Sequence, residues 1–265
     1  MEVEMKLSAP IYQLKSQAKA LKRSQSCSMA EALDFVAKTE GYASWSLLTQ
    51  KAKDLLPSRY DDIIHYFNGG DLILLGARPM VGKTSFATGL FVQSILQEKQ
   101  KGYYFTLSEI ERDVLSRMKA YAAFISDYEP HFVIDCADDI CADYIMERSK
   151  NDVGDGSYII IDYMQQLDER RVNEPLQQQI IKLKEFAKVK KCTIIFIAQI
   201  DRKFEISKDN LPNAKDVRLP NPLDLALFNK MLFLRREGKQ VEVHFCGRRN
   251  HQLLVSWNEK LQRVE

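Results

Sequence analysis

The sequence is short of the residues that build covalent or metal-held folds. Its five cysteines (Cys27, Cys136, Cys141, Cys192 and Cys246) form no Cys-x-x-Cys pair. Several sit in apolar runs and read as reduced, mostly buried thiols rather than a disulfide framework. Only four histidines are scattered over 265 residues, which argues against a zinc site. An excess of one charge sign is also missing. Lys and Arg number 38 against 36 Asp and Glu, a net charge of +2, so any contact with nucleic acid must come from local patches. No apolar run approaches the ~20 residues that cross a bilayer. No signal-peptide pattern opens the chain, and no internal repeat or low-complexity tract interrupts it. These absences lead us to expect a cytoplasmic protein without a membrane partner. What is present, 45% hydrophobic and 28% charged residues, suffices for a full core, and the length fits one main domain plus a smaller one.

Residues 1–58 read as a small helical module. Ile11, Leu14, Ala18 and Leu21 recur at helical spacing, with Lys15, Lys19, Lys22 and Arg23 on the polar side. Ser28 and Glu31 form a capping box for a second helix through Lys38, and Gly41 stops it. A third helix is expected over Ser44–Leu55, with Trp45 and Leu48 as its core residues and Pro57 as its end. The basic face either touches nucleic acid or a partner protein, or merely solvates the bundle.

From residue 59 to 265 strand and helix signals alternate, the mark of an α/β domain with a mostly parallel central sheet. Strands are expected at Leu72–Leu75, Tyr103–Leu107, Phe132–Asp135, Tyr158–Ile161, Thr193–Ala198 and Met231–Leu234. Helices are expected over Val114–Ile125, Ile140–Lys150 and Gln177–Lys190. Val241–Phe245 and Leu253–Trp257 read as a terminal hairpin around Gly247–His251. The segment Lys203–Pro222, polar and carrying three prolines, reads as loop.

Between the first of these strands and a helical run stands Gly76-Ala77-Arg78-Pro79-Met80-Val81-Gly82-Lys83-Thr84. Strand, tight loop and helix are the context a phosphate-binding loop requires. Gly82 lets the backbone curl so that successive N–H groups point at phosphate oxygens. Lys83 would meet the β and γ phosphates of ATP, and the Thr84 hydroxyl would ligate Mg²⁺. The helix that begins there turns its positive end toward the same anion. Ala77 stands where the usual motif begins with glycine. The nucleotide-binding set is then Ala77, Arg78, Pro79, Met80, Val81, Gly82, Lys83, Thr84 and Ser85.

Two further strand ends belong with this loop. Tyr158-Ile159-Ile160-Ile161-Asp162 describes a buried strand that delivers a carboxylate to the sheet edge where the loop emerges, placed to hold the hydration shell of the metal. Thr193–Ala198 ends in Gln199, whose uncharged amide suits a sensor of the γ-phosphate or, alone, an ordinary polar strand end.

Taken in order, these strings resemble the ATPase domain of DnaB-type replicative helicases, the hexameric superfamily-4 branch of RecA-fold ATPases. The resemblance runs from about Ile63 to Trp257. Asp162-Tyr163-Met164-Gln165 is similar to the family's Asp-Tyr-Leu-Gln, and Ala198-Gln199-Ile200-Asp201-Arg202 to its Ser-Gln-Leu-Asn-Arg. Arg248-Arg249-Asn250 is similar to Gln-Arg-Asn, whose arginine enters the neighbouring subunit's ATP site, which implies that role for Arg249. The resemblance implies an ATPase that works as a hexameric ring on single-stranded DNA, with Lys83, Gln199, Arg249 and a glutamate as its catalytic groups. It leaves the first 58 residues uncovered.

This sequence departs from the family pattern at three points. The family's strand ends Phe-Ser-Leu-Glu, and that glutamate polarises the attacking water. Here Phe105-Thr106-Leu107-Ser108-Glu109, aligned without a gap through Arg117-Met118, puts Ser108 at that position and Glu109 one residue late. One residue along a strand turns a side chain to the opposite face, so Glu109 serves as the base only if the strand end bulges or bends. Failing that, the chain binds ATP and turns it over slowly, as a regulator or assembly scaffold. In the DNA-gripping loop the family's glycine is replaced within Asp216-Val217-Arg218-Leu219-Pro220-Asn221-Pro222. Arg218 and Arg202 remain the nucleic-acid candidates, while the prolines remove donors and stiffen the chain. Lastly, Gly247 replaces a lysine two residues before Arg249.

Overall fold

The computed structural model describes residues 7–8, 11–24, 27–54, 56–98, 100–167, 173–201, 212–219, 221–246 and 251–264. The chain divides into two compact units, Met1–Phe67 and Asn68–Glu265.

The first unit is helical: α1 (Ile11–Ser24), α2 (Met29–Thr39), α3 (Trp45–Asp54) and a short α4 (Ile63–Tyr66). Leu14 and Ala18 from α1, Ala32, Val36 and Ala37 from α2, then Tyr42 and Leu48 are its buried core. The capping box is present: Glu31 N–H donates to the Ser28 hydroxyl at 3.2 Å, and Ser28 N–H to the Glu31 carboxylate at 2.8 Å. α3 begins one residue later than expected because Ser44 caps it, its hydroxyl accepting from Leu47 N–H at 3.2 Å. Trp45 is half-buried against the core rather than inside it. Lys15, Lys19, Lys22 and Arg23 are exposed.

The second unit is a nine-stranded sheet in the order β3-β2-β4-β5-β1-β6-β7-β8-β9. Its strands are β1 (Leu72–Ala77), β2 (Gly102–Thr106), β3 (Phe132–Asp135), β4 (Tyr158–Asp162), β5 (Thr193–Gln199), β6 (Lys230–Glu237), β7 (Gln240–Cys246), β8 (His251–Asn258) and β9 (Arg263–Val264). From β3 to β6 every pairing is parallel; β6–β7, β7–β8 and β8–β9 are antiparallel. β1, β2 and β4 are buried at every position, as parallel strands covered on both faces must be. α5 (Lys83–Glu98) lies on one face, where Phe91 meets Tyr104 edge-on at 5.8 Å. α7 (Ala142–Ser149) and α8 (Leu176–Lys190) lie on the other, burying Ile145, Ile180 and Leu183 with Leu74, Phe105, Ile159 and Phe196. This layering is the mostly parallel α/β arrangement that the resemblance leads us to expect.

Several boundaries differ from expectation. α6 runs Glu111–Tyr121 rather than Val114–Ile125. Glu111 and Asp113 favour the positive N-terminal end, and Ala122 turns extended before a 3₁₀ segment that holds Pro130. β2 stops at Thr106. β6 continues to Glu237, turns at Gly238 (φ 57°) and returns as β7, so the expected terminal hairpin is part of an antiparallel extension. The last strand, β9, has only two residues, too few for periodicity to reveal.

Candidate nucleotide-binding site

Register brings the strand ends level. Thr106 pairs with Asp162, Asp162 with Ile197, and Ala77 with Gln199. One edge of the sheet therefore collects the C-terminal ends of β1, β2, β4 and β5, where open α/β sheets bind ligands.

At that edge β1 passes into the loop. Ala77 is still strand, buried, its carbonyl accepting from Ile200 N–H at 3.2 Å. Arg78 and Val81 are half-buried, Pro79 is exposed, and Met80 at 88% exposure is the apex. Met80 (φ 67°) and Gly82 (φ 105°) are left-handed, which turns the backbone back toward α5. A Cβ on Gly82 would stand 2.7 Å from the Trp257 ring of β8, so glycine is required there by both conformation and space. Arg236 covers Trp257, its guanidinium carbon 4.8 Å from the ring centroid. The first helical bond of α5 is Phe86 N–H to the Gly82 carbonyl at 2.8 Å. The amides of Lys83, Thr84 and Ser85 precede it and have no partner within the helix. They are donors presented at the positive end of a sixteen-residue helix. Ser85 commits its hydroxyl elsewhere, donating to the Gln262 carbonyl at 2.6 Å.

Asp162 ends β4 at 4% exposure. Tyr104 donates its hydroxyl to Oδ2 at 3.3 Å, and Thr84 lies near enough to favour the charged form of the carboxylate. Burial, then the negative Glu109 nearby, push the Asp162 pKa up to about 6, against the opposing pull of Thr84, Lys83 and Arg117. Burial also lowers the Lys83 pKa, and Asp162 partly offsets it. A basic and an acidic group are thus held together with too little solvent for either. Added phosphate and cation charge relieves both.

Beyond Thr106 the chain bends through Leu107, Ser108 and Glu109. Ser108 is exposed, its amide turned back to the Thr106 hydroxyl at 3.2 Å. Glu109 is half-buried, close enough to Asp162 to raise its pKa, and forms an ion pair with Arg117 of α6. Its Oε1 takes the Arg117 bond, while Oε2 is buried without a hydrogen-bond partner. Burial opposes the Arg117 charge, but the bond to Glu109 and the oxygens of Tyr104 and Asp162 hold its pKa above the usual value.

Gln199, at the end of β5, is half-buried. Its backbone is bracketed by the Gln165 side chain and by Arg218, whose N–H donates to the Gln199 carbonyl at 2.8 Å. The Arg218 side chain is exposed. Arg202 and Arg249, with Gly247, Arg248, Asn250 and Pro220, lie outside the described residues.

The structure therefore brings Lys83, Thr84, Asp162 and Glu109 together and sets Gln199 on the same edge. Sequence reasoning misses Arg117 as the Glu109 partner, Tyr104 as the Asp162 donor and Trp257 as the wall behind Gly82. A helix starting at Glu111 makes the first legible, since it carries Arg117 close behind Glu109. Trp257 lies far from Gly82 along the chain, beyond any local pattern.

The donors present fit a magnesium-bound triphosphate: free amides, an ammonium, a hydroxyl and a buried carboxylate. Among the described residues no three His, Cys, Asp or Glu side chains converge as a metal site. A cation here would take Thr84, Asp162 and phosphate oxygens, the sparse protein ligation typical of Mg²⁺.

Comparison with known proteins bears on the family and the fold. The sequence matches the family model of the DnaB-like helicase C-terminal domain over residues 57–131 and 127–240. One solved ATPase domain superimposes with a TM-score of 0.64 at 18% identity, over 78% of this chain and 89% of that one. A DnaB-like replicative helicase, solved in a study of its interactions with primase, gives 0.66 at 17% identity, over 95% and 75%. A KaiC-like protein from the archaeon Pyrococcus horikoshii gives 0.52 at 17%, over 74% and 88%. At these identities the structures speak for the fold alone. No curated protein sequence matches the chain.

Proposed function

The chain belongs to the family of DnaB-like helicase C-terminal domains, and from that premise we propose a Mg²⁺-dependent cytoplasmic ATPase that works as an oligomer, a hexameric ring in the family, on single-stranded DNA. The observation that carries this reading is the meeting of Lys83, Thr84, Asp162 and Glu109 at one sheet edge. The amides of Lys83, Thr84 and Ser85 bind phosphate oxygens, and Lys83 donates to the β and γ phosphates. Thr84 and Asp162 hold Mg²⁺ and its water; bound there, the ion neutralises charge on the phosphates. Glu109 orients the attacking water and takes its proton on Oε2. Gln199 donates its amide to the γ-phosphate. Arg249 reaches a neighbouring subunit's site, where an arginine supplied in trans accelerates transfer by about 10³–10⁵-fold. Arg218 and Arg202 contact the strand's phosphates, and residues 1–58 form a separate helical domain that recruits a protein partner.

One observation favours a second reading, an ATP-binding regulator or scaffold with weak hydrolysis and no translocation. Glu109 is held by Arg117, so a strong base requires that pair to loosen. Turnover measured with and without single-stranded DNA separates the two: the motor is stimulated, the regulator binds ATP and barely hydrolyses it. In the motor, Glu109→Gln lowers turnover by about 100-fold or more and leaves ATP affinity within about threefold; unchanged turnover removes Glu109 from the mechanism. Lys83→Ala weakens ATP binding by roughly 10- to 150-fold, the worth of a charged hydrogen bond. Retained affinity in a fluorescent-nucleotide titration refutes the phosphate-loop assignment.

A further inference from the structure

Three residues past Asp162, Gln165 is buried in a single 3₁₀ turn (Met164–Gln166). Its side-chain amide has one acceptor oxygen and two donor hydrogens. Oε1 accepts from Gln199 N–H at 3.4 Å. Nε2 donates to the Gln199 carbonyl at 3.3 Å and to the Arg218 carbonyl at 2.9 Å. Arg218 N–H closes the circuit on the Gln199 carbonyl at 2.8 Å. Beside it, Ile200 bridges Val217 in antiparallel fashion, and Asp201 N–H donates to the Asp216 carbonyl at 2.6 Å. Gln165 therefore acts as a fragment of strand: it completes the ladder of β5 and pins the returning segment Asp216–Arg218 to it.

Both ends of this clamp face function. One end is the backbone of Gln199, level with Ala77 and two residues past the Ile197 that pairs with Asp162; the other is the backbone that carries the exposed Arg218 side chain. We propose that Gln165 is a positioning residue that couples the nucleotide site to Arg218, so that a shift of Gln199 or of the Asp162 turn is transmitted to Asp216–Arg218 as a unit. This rests on the nucleotide-site reading above. Chemically the requirement is narrow. A carboxylate at 165 keeps the acceptor but sets negative charge against two carbonyl oxygens, and an apolar side chain takes this partner from the Gln199 N–H and the Arg218 carbonyl, leaving the Gln199 carbonyl with the Arg218 N–H alone.

The test is backbone hydrogen exchange across Ala214–Leu219, with and without Mg²⁺ and a slowly hydrolysed ATP analogue. In the unsubstituted protein, nucleotide changes exchange at Val217 and Arg218 by about tenfold. In Gln165→Met the analogue still binds within about threefold, but the exchange change disappears. A purely structural role would instead raise exchange equally with and without nucleotide and leave the response intact, which overturns the coupling. So does an unsubstituted protein that binds the analogue with no response at this segment. If Gln165→Met does not fold, Gln165→Glu is measured against the same criterion. Failure of the unsubstituted protein to bind the analogue at all is a different result: it overturns the nucleotide-site reading, and this inference falls with it.

Discussion

From β3 to β6 the strands run parallel, and β1, β2 and β4 are buried along their whole length, whereas β8 runs antiparallel and alternates buried Leu253, Val255 and Trp257 with exposed Gln252, Leu254 and Ser256. β1, β2 and β4 have no open face, so the candidate site is confined to strand ends: Thr106, Asp162, Gln199 and the loop after Ala77. The antiparallel half has faces to spare and uses one as a support. Trp257 stands behind Gly82, and the Gln262 carbonyl takes the Ser85 hydroxyl. Tyr121 joins the same corner, donating to the Ser85 carbonyl at 2.8 Å and accepting from Val264 N–H at 3.1 Å. One half carries the candidate site groups and the other packs against the first turn of α5.

The contrast breaks most sharply at Trp257. Trp257→Ala removes a nearly buried ring and is expected to cost about 3–5 kcal/mol of stability, read by urea denaturation. Nucleotide affinity should fall as well, since the loop loses its wall; full affinity in the folded variant would show that the antiparallel half supports nothing.

Asp162 gives the next effect, of opposite sign. Its folded pKa of about 6 lies above the unfolded 3.8, so the folded state holds its proton longer and stability falls as pH rises between those values. Above pH 6 the full penalty, up to about 3 kcal/mol, is present. Asp162→Asn should therefore stabilise the nucleotide-free protein at about pH 7.5, with a gain that shrinks toward about pH 4, while abolishing turnover. A gain independent of pH in thermal melts would refute this account of the buried carboxylate.

Ser85→Ala is the mildest probe. Loss of one hydroxyl bond to the Gln262 carbonyl should cost about 1 kcal/mol, seen as a melting point lower by a few degrees.

The same division between strand interiors and strand ends governs what the sequence discloses. Leu72–Leu75 and Tyr158–Ile161 are visible as strands because β-branched and leucine runs of that length, closed by loop residues, have few other uses. Gly82-Lys83-Thr84 and Asp162 are legible as candidates because the strand, turn and helix signals beside them place them at one sheet edge. Glu109 is ambiguous in the sequence for a physical reason: face alternation is defined only within a strand, and β2 ends at Thr106, before the residue in question. Tyr104 reads as core by composition, and only the β2–β4 register reveals its hydroxyl at Asp162. Gln165 reads as one letter of a signature, because an amide serving as a surrogate strand has no sequence pattern of its own.

The chain contains two tryptophans, Trp45 in the helical unit and Trp257 touching Gly82. Replacing Trp45 by phenylalanine would leave a single indole fluorophore in van der Waals reach of the phosphate loop. Its emission, set against the guanidinium of Arg236, becomes a label-free optical record of loop occupancy on the stopped-flow timescale.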